Sequence, residues 1–213
     1  MKRNELKAIL FDFDGVLSKG RFYSTICNED QKIKDAIIQN IFSKEAKDVI
    51  QTWMRGERSF EEVHTMFAES IGTDIEFLNK SLIESVLAIK LNTELLNFVS
   101  SMRHLGVKVA IFTDNMDVFD RIFVPYNNLK NKFDFIFSSS TFKKLKLDNN
   151  AAFLKQAIEI MDVRYEQTLL LDDSPKIGVF MKKFGGNFYL YEDYYNEFNR
   201  FIQWFYNNFN IKN

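Results

Sequence analysis

Four short apolar runs in this sequence stop abruptly on oxygen-bearing side chains, and that arrangement limits the fold more than any other feature. Ala8-Ile9-Leu10-Phe11 stops at Asp12-Phe13-Asp14-Gly15, and Val107 to Phe112 stops at Thr113-Asp114. Phe133 to Phe137 stops at Ser138-Ser139-Ser140, and Thr168 to Leu171 stops at Asp172-Asp173. The continuous run Ala8–Phe11 is the pattern of a strand buried on both faces, and the three later runs, with Lys108 and Asp134 inside two of them, read the same way. Between the runs lie helical stretches over about 93–105, 116–124, 149–161 and 175–184, punctuated by Gly106, Pro125 and Gly185-Gly186. Strand alternating with helix predicts the α/β class, a doubly wound parallel sheet covered on both faces.

Residues 18–91 interrupt that alternation and read as helices only, about four of them. Ser59-Phe60-Glu61-Glu62 and Thr73-Asp74-Ile75-Glu76 both fit the reciprocal box of a hydroxyl answered by a Glu three residues on. Gly56 and Gly72 stand where helices end. The spacing therefore predicts an α/β core built from 1–17 and 92–213, with a helical cap domain, 18–91, inserted after the first strand. Such an insertion stands over the crevice where parallel sheets bind ligands, so a substrate lid is expected. The aromatic-rich stretch from Tyr191 to Phe209 reads as a terminal helix packed on the sheet.

Composition removes several classes. With 46% apolar residues and a formal net charge of -1 from 28 basic and 29 acidic side chains, the chain is neither disordered nor equipped with the basic surface that nucleic acid requires. Cys27 stands alone, which excludes an intrachain disulfide, thiolate-bound zinc and an iron–sulfur cluster. The apolar stretch near the N-terminus is too short for a signal-peptide core or a spanning helix. A soluble cytoplasmic protein without a membrane partner is expected, and its oligomeric state is left open.

The strand ends would bring Asp12, Asp14, Thr113, Asp172 and Asp173 to one edge of the sheet. Carboxylates crowded together repel one another unless a cation sits among them. Oxygen ligands without Cys or His select Mg²⁺, and the cation in turn suits a phosphate.

These residues carry a family resemblance. Phe11-Asp12-Phe13-Asp14-Gly15-Val16-Leu17 resembles the first signature of the haloacid dehalogenase superfamily of phosphotransferases. Ile111-Phe112-Thr113-Asp114-Asn115 resembles its second motif, Lys146 falls where its third-motif lysine is expected, and Leu169-Leu170-Leu171-Asp172-Asp173-Ser174 resembles its fourth. The stretch from Trp53 to Glu62 is similar to the cap segment of sugar-phosphate phosphatases in that superfamily. The resemblance covers nearly the whole chain. It implies a HAD-like Rossmannoid core with a helical cap of the C1 kind, and a phosphatase that hydrolyses a small phosphorylated metabolite, a sugar phosphate being favoured.

The same resemblance implies the roles. Asp12 is the expected nucleophile, forming an aspartyl-phosphate, and Asp14 the general acid and then base, which calls for an elevated carboxyl pKa. Mg²⁺ is expected on the Asp12 side chain, the Asp14 backbone carbonyl and Asp173, with Asp172 behind. Thr113, Asp114, Asn115 and Lys146 are expected around the phosphate. Dehalogenases lack the second carboxylate, so Asp14 argues for phosphate esters. Two departures stand out: Asp114 replaces the usual Asn, and Leu147-Asp148 replaces the Pro that commonly follows the lysine, which keeps Lys143 and Lys144 as alternatives. A phosphomutase and a non-enzymatic module that binds a phosphorylated ligand are the competing readings.

Other polar residues have plainer explanations. His64 shares a helical face with Phe60, Phe67 and Ile71 and reads as a hydrogen-bonded histidine of the cap core. His104 reads as a helix C-terminal residue, Cys27 as inert, and Arg55 and Arg58 as turn residues able to reach substrate.

Overall fold

The computed structural model describes residues 5–27 and 30–210. Five parallel strands form one sheet in the order β3-β2-β1-β4-β5: β1 (Ala8–Phe11), β2 (Lys108–Thr113), β3 (Phe135–Ser138), β4 (Thr168–Asp172) and β5 (Asn187–Leu190). Phe11 pairs with Ile111 on one side and Leu171 on the other, so β1 ends centrally, between the tips of β2 and β4.

Four helices, α1 (Gln31–Asn40), α2 (Lys47–Met54), α3 (Phe60–Ile71) and α4 (Ile75–Leu87), lie between β1 and α5 (Thr93–His104). After β2 come a π-helical turn, Phe119–Phe123, and the short helices α6 (Val124–Tyr126) and α7 (Leu129–Lys132). Then follow α8 (Ser139–Phe142), α9 (Asp148–Ile160), α10 (Pro175–Lys183) and α11 (Phe198–Asn208).

Alternation along each strand divides the core into two layers. Ile9, Phe11, Val109, Ile111, Leu169 and Leu171 pack toward α5 and α11. Ala8, Leu10, Ala110, Phe112 and Leu170 pack toward α9 and α10. The aromatic stripe of α11 meets α5 edge-on, with Phe98 at 5.1 Å from Phe201 and 4.9 Å from Phe205 between ring centroids. The chain leaves the sheet for the inserted helices at Ser18 and returns at Leu91, and these two residues bridge each other.

Several local expectations are corrected. The Ser59 box forms as read, with Ser59 Oγ accepting from the Glu62 N–H at 3.2 Å and Glu62 Oε2 from the Ser59 N–H at 2.7 Å. The second box does not: Asp74, one residue beyond Thr73, takes the extended backbone and accepts the Phe77 N–H at 2.6 Å. The helical stretch after β2 ends at Tyr126, next to Pro125, and contains a π turn, Phe119–Phe123, that the sequence reading did not include. Sequence reading missed β5, and α11 starts at Phe198, not near Tyr191. No helix among the described residues is long and apolar enough to cross a membrane.

Candidate active site

Asp12, Asp14, Asp114, Asp172 and Asp173 line one crevice of about 170 Å³ with a single ammonium, that of Lys146. The backbone places them. Asp12 is the first residue past β1, Asp172 ends β4, and Asp114 follows the last residue of β2. The tight turn after β1 is closed by the Gly15 N–H donating to the Ser18 carbonyl at 2.7 Å. Gly15 has φ +78°, and a Cβ there would lie 2.2 Å from Asp173 Oδ2. Only glycine lets the two acidic turns come this close.

Asp12 is buried, and its Oδ1 accepts both the Phe13 N–H at 2.7 Å and the Lys146 ammonium at 2.7 Å. Two donors on Oδ1 leave Oδ2 as the oxygen outside those bonds. Lys146 Nζ also donates to Asp172 Oδ2 at 2.7 Å, while Asp172 Oδ1 accepts the Ser174 N–H at 2.8 Å. Asp172 is fully buried with both oxygens engaged, whereas Asp173 is exposed at the crevice. Asp12, Asp172 and Asp173 each offer an oxygen within 4.8 Å of the others, a hard-donor set suited to a divalent cation such as Mg²⁺.

The remaining residues divide between lining the crevice and holding it. Thr113 is buried, and among the described residues its hydroxyl has no hydrogen-bond partner. A buried hydroxyl without a partner is costly, and Thr113 stands at the end of β2 beside the crevice-lining Asp114 without itself lining the crevice. Asn115 donates from its side chain to Asp14 Oδ2 at 3.2 Å, and its backbone N–H is committed to Ser139 Oγ at 2.9 Å. Asp114 accepts the backbone N–H of Lys146 at 2.8 Å, so its carboxylate holds the loop that carries the lysine. Lys143 is bound to the Gly56 carbonyl and Lys144 to Gln156 Oε1 at 2.9 Å, which leaves Lys146 as the lysine in the crevice.

The electrostatics follow from one cation among five acids. Burial pushes the Asp12 carboxyl well above the usual range against the pull of Lys146, with Asp172 adding to the rise. Asp14 reaches solvent at the rim yet is crowded by protein on its inner side; lost hydration pushes it up to about 6, Lys146 opposing and Asp173 assisting. Asp114 rises to about 6 through burial, against Lys146. Burial works against the Lys146 charge, but Asp12, Asp172 and Asp114 outweigh it and hold the ammonium above an ordinary lysine.

The residues read from sequence as accessory are not among those lining the crevice. His64 is buried among the inserted helices, with Nε2 2.6 Å from the Tyr23 hydroxyl and Nδ1 2.5 Å from Asn79 Oδ1. His104 lies in the last turn of α5, 2.8 Å from the Ser100 carbonyl. Arg58 donates to Thr52 Oγ1 at 3.2 Å, and Arg55 is paired with Asp148, a partnership that no motif announces.

A parallel sheet whose central strands carry carboxylates to one edge, met there by a lysine from the loop before α9, defines a ligand-binding crevice at the carboxyl ends of the strands. Residues 6–185 match the family model of haloacid dehalogenase-like hydrolases, and the chain belongs to that family. A comparison with curated proteins gives no match. Among solved structures the chain is similar to a predicted HAD-like family hydrolase from Porphyromonas gingivalis, with 20% identity over 94% of this chain and 98% of that one and a TM-score of 0.73. It is also similar to a HAD family enzyme from Bacteroides thetaiotaomicron solved with magnesium and inorganic phosphate, with 20% identity over 87% of this chain and 93% of that one and a TM-score of 0.67. A HAD phosphatase from Thermococcus onnurineus shares 16% identity over 92% of this chain and 98% of that one, with a TM-score of 0.58.

Proposed function

We propose that this chain is a Mg²⁺-dependent phosphomonoester hydrolase that works on a small phosphorylated metabolite through an aspartyl-phosphate on Asp12. The observation that carries the reading is a second carboxylate, Asp14, lining the same crevice as the buried Asp12, Lys146 and the acidic cluster. A nucleophile alone would suit halide displacement, whereas a second, elevated carboxyl supplies the proton that an alkoxide leaving group needs. The Bacteroides enzyme solved with magnesium and phosphate, on a similar fold, supports the same choice.

In this reading an Asp12 carboxylate oxygen attacks phosphorus as the P–O bond to the substrate alcohol breaks, and the alcohol leaves with the proton of Asp14. Asp14, now ionised, takes a proton from water; the water oxygen attacks the aspartyl-phosphate, the Asp12–phosphorus bond breaks, and inorganic phosphate departs. Lys146 and the Thr113 hydroxyl hold the transferring oxygens, while Asn115 orients Asp14 and Asp114 fixes the backbone of Lys146. The Asp12 side chain, the Asp14 backbone carbonyl and Asp173 would hold Mg²⁺; Asp172, engaged by Ser174 and Lys146, stands behind them. Bound there, the ion supplies positive charge that offsets the acids and the phosphoryl group. Residues 18–91 act as a cap that closes over the crevice and selects the leaving group.

Hydrolysis of p-nitrophenyl phosphate tests this. Mg²⁺-dependent phosphate release that EDTA and Asp12→Asn both abolish is expected; metal-independent behaviour shared by wild type and Asp12→Asn would favour a binding module.

A further inference from the structure

The C-terminal end of α2 sits on α8, the short helix that leads into the loop carrying Lys146. Met54 accepts at its carbonyl from Ser139 Oγ at 2.6 Å, and the Gly56 carbonyl accepts from Lys143. A Cβ on Gly56 would lie 2.3 Å from the Ser140 carbonyl oxygen, so the contact has no room for any other residue. Between these two anchors, Arg55 forms a two-pronged pair with Asp148: Nε to Oδ2 at 2.9 Å and Nη2 to Oδ1 at 2.9 Å. Both side chains are largely shielded, at 22% and 27% exposure, where a bidentate charge-assisted bond retains strength.

Asp148 does more than receive the arginine. Its Oδ2 also accepts the Leu145 N–H at 3.0 Å, closing the turn that presents Lys146. On the other side of that turn, the Lys146 N–H is held by Asp114. Immediately afterwards Asn149, Asn150 and Ala151 all have positive φ, at 49°, 57° and 57°. Three consecutive non-glycine residues in the left-handed region are disfavoured and persist only where surrounding contacts hold them.

We propose that Arg55 is a positioning residue: by gripping Asp148 from the inserted helices it holds the strained Lys146 loop in its working place, so that docking of those helices and correct placement of the lysine are one event. The proposal rests on the phosphatase reading for its kinetic consequence, and on geometry alone for its effect on the loop. Arg55 makes no contact with Lys146 and acts through Asp148.

The test compares wild type with Arg55→Met, which keeps the apolar stem, and with Arg55→Lys. Amide hydrogen exchange in the peptide spanning 143–151 is expected to accelerate in Arg55→Met, with kcat for p-nitrophenyl phosphate about tenfold lower, KM little changed and the melting temperature lower by only a few degrees. Arg55→Lys should fall between the two. Adding Asp148→Asn to Arg55→Met should cost less than the two single losses combined, because they break one interaction. Unchanged exchange in 143–151, or a kcat loss that only tracks lost folded protein, would overturn the proposal. A wild type without Mg²⁺-dependent turnover would sink the phosphatase reading instead, and the exchange comparison would still decide the role of Arg55.

Discussion

Gly15→Ala separates the stability of this protein from the competence of its acidic cluster. The new Cβ would stand 2.2 Å from Asp173 Oδ2 and 2.7 Å from its Cγ, whereas ordinary contact begins near 3.4 Å, so the carboxylate must retreat by roughly 1 Å. Asp173 is exposed and has room to swing outward, so the clash itself relaxes cheaply. The backbone cannot relax: alanine at φ +78° costs about 1–2 kcal/mol, a fall of about 2–8 °C in melting temperature for a chain of this size. The functional loss should be larger. An acidic ligand displaced by this distance from Asp12 and Asp172 should raise the half-activating Mg²⁺ concentration about tenfold or more. Thermal melts and a Mg²⁺ titration of p-nitrophenyl phosphate hydrolysis measure the two effects. A variant that melts lower but keeps the wild-type Mg²⁺ requirement would refute the assignment of Asp173.

Thr113→Val removes a buried hydroxyl that has no partner, so stability should hold or rise slightly while kcat/KM drops about a hundredfold; equal turnover would remove Thr113 from the site. Lys146→Met leaves Asp12 and Asp172 buried without their cation and should lower stability by about 3–5 kcal/mol in EDTA, measured by urea unfolding; a loss under about 1 kcal/mol would mean that Lys146 does not hold the acids. Burial depresses His64, so it contributes stability above the ordinary histidine pKa that is lost as pH falls below about 6.5. His64→Gln should flatten the fall in urea stability between about pH 6.5 and 5, and an unchanged slope would place that acid sensitivity elsewhere.

The central strands were legible because β1, β2 and β4 are almost wholly buried and end in the oxygen-bearing residues proposed for the chemistry. β1, β2 and β4 show as continuous apolar runs, and covalent continuity then carries Asp12, Thr113 and Asp172 to a shared edge. β5 was not legible for the converse reason. It is an edge strand whose four residues are only half-buried, so Asn187 interrupts the pattern and Gly185-Gly186 shows only as a helix end. The start of α11 was misplaced because aromatic residues suit a packed loop as well as a helix; Tyr191 is buried before the helix begins, and Asp193 turns the chain by accepting the Tyr195 N–H at 3.1 Å.

Within the site, the residue types were readable and the partnerships were not. The substitution at Asp114 looked like an extra acid beside a phosphate, and its actual bond to the Lys146 backbone exists only once β2 and the following loop are folded together. Arg55 and Asp148 are 93 residues apart in different elements, a separation over which no local pattern can register a pair.

The central claim is that Asp12 carries the phosphoryl group, and a covalent adduct tests it most directly. Protein turning over p-nitrophenyl phosphate with Mg²⁺ is quenched in acid and its peptides are mapped by mass spectrometry, alongside Asp14→Asn, in which the second step should slow and the adduct build up. A phosphoryl group on Asp12, enriched in Asp14→Asn and missing in Asp12→Asn, is the predicted result. Turnover that continues undiminished in Asp12→Asn, or an adduct on a different residue, would contradict the account.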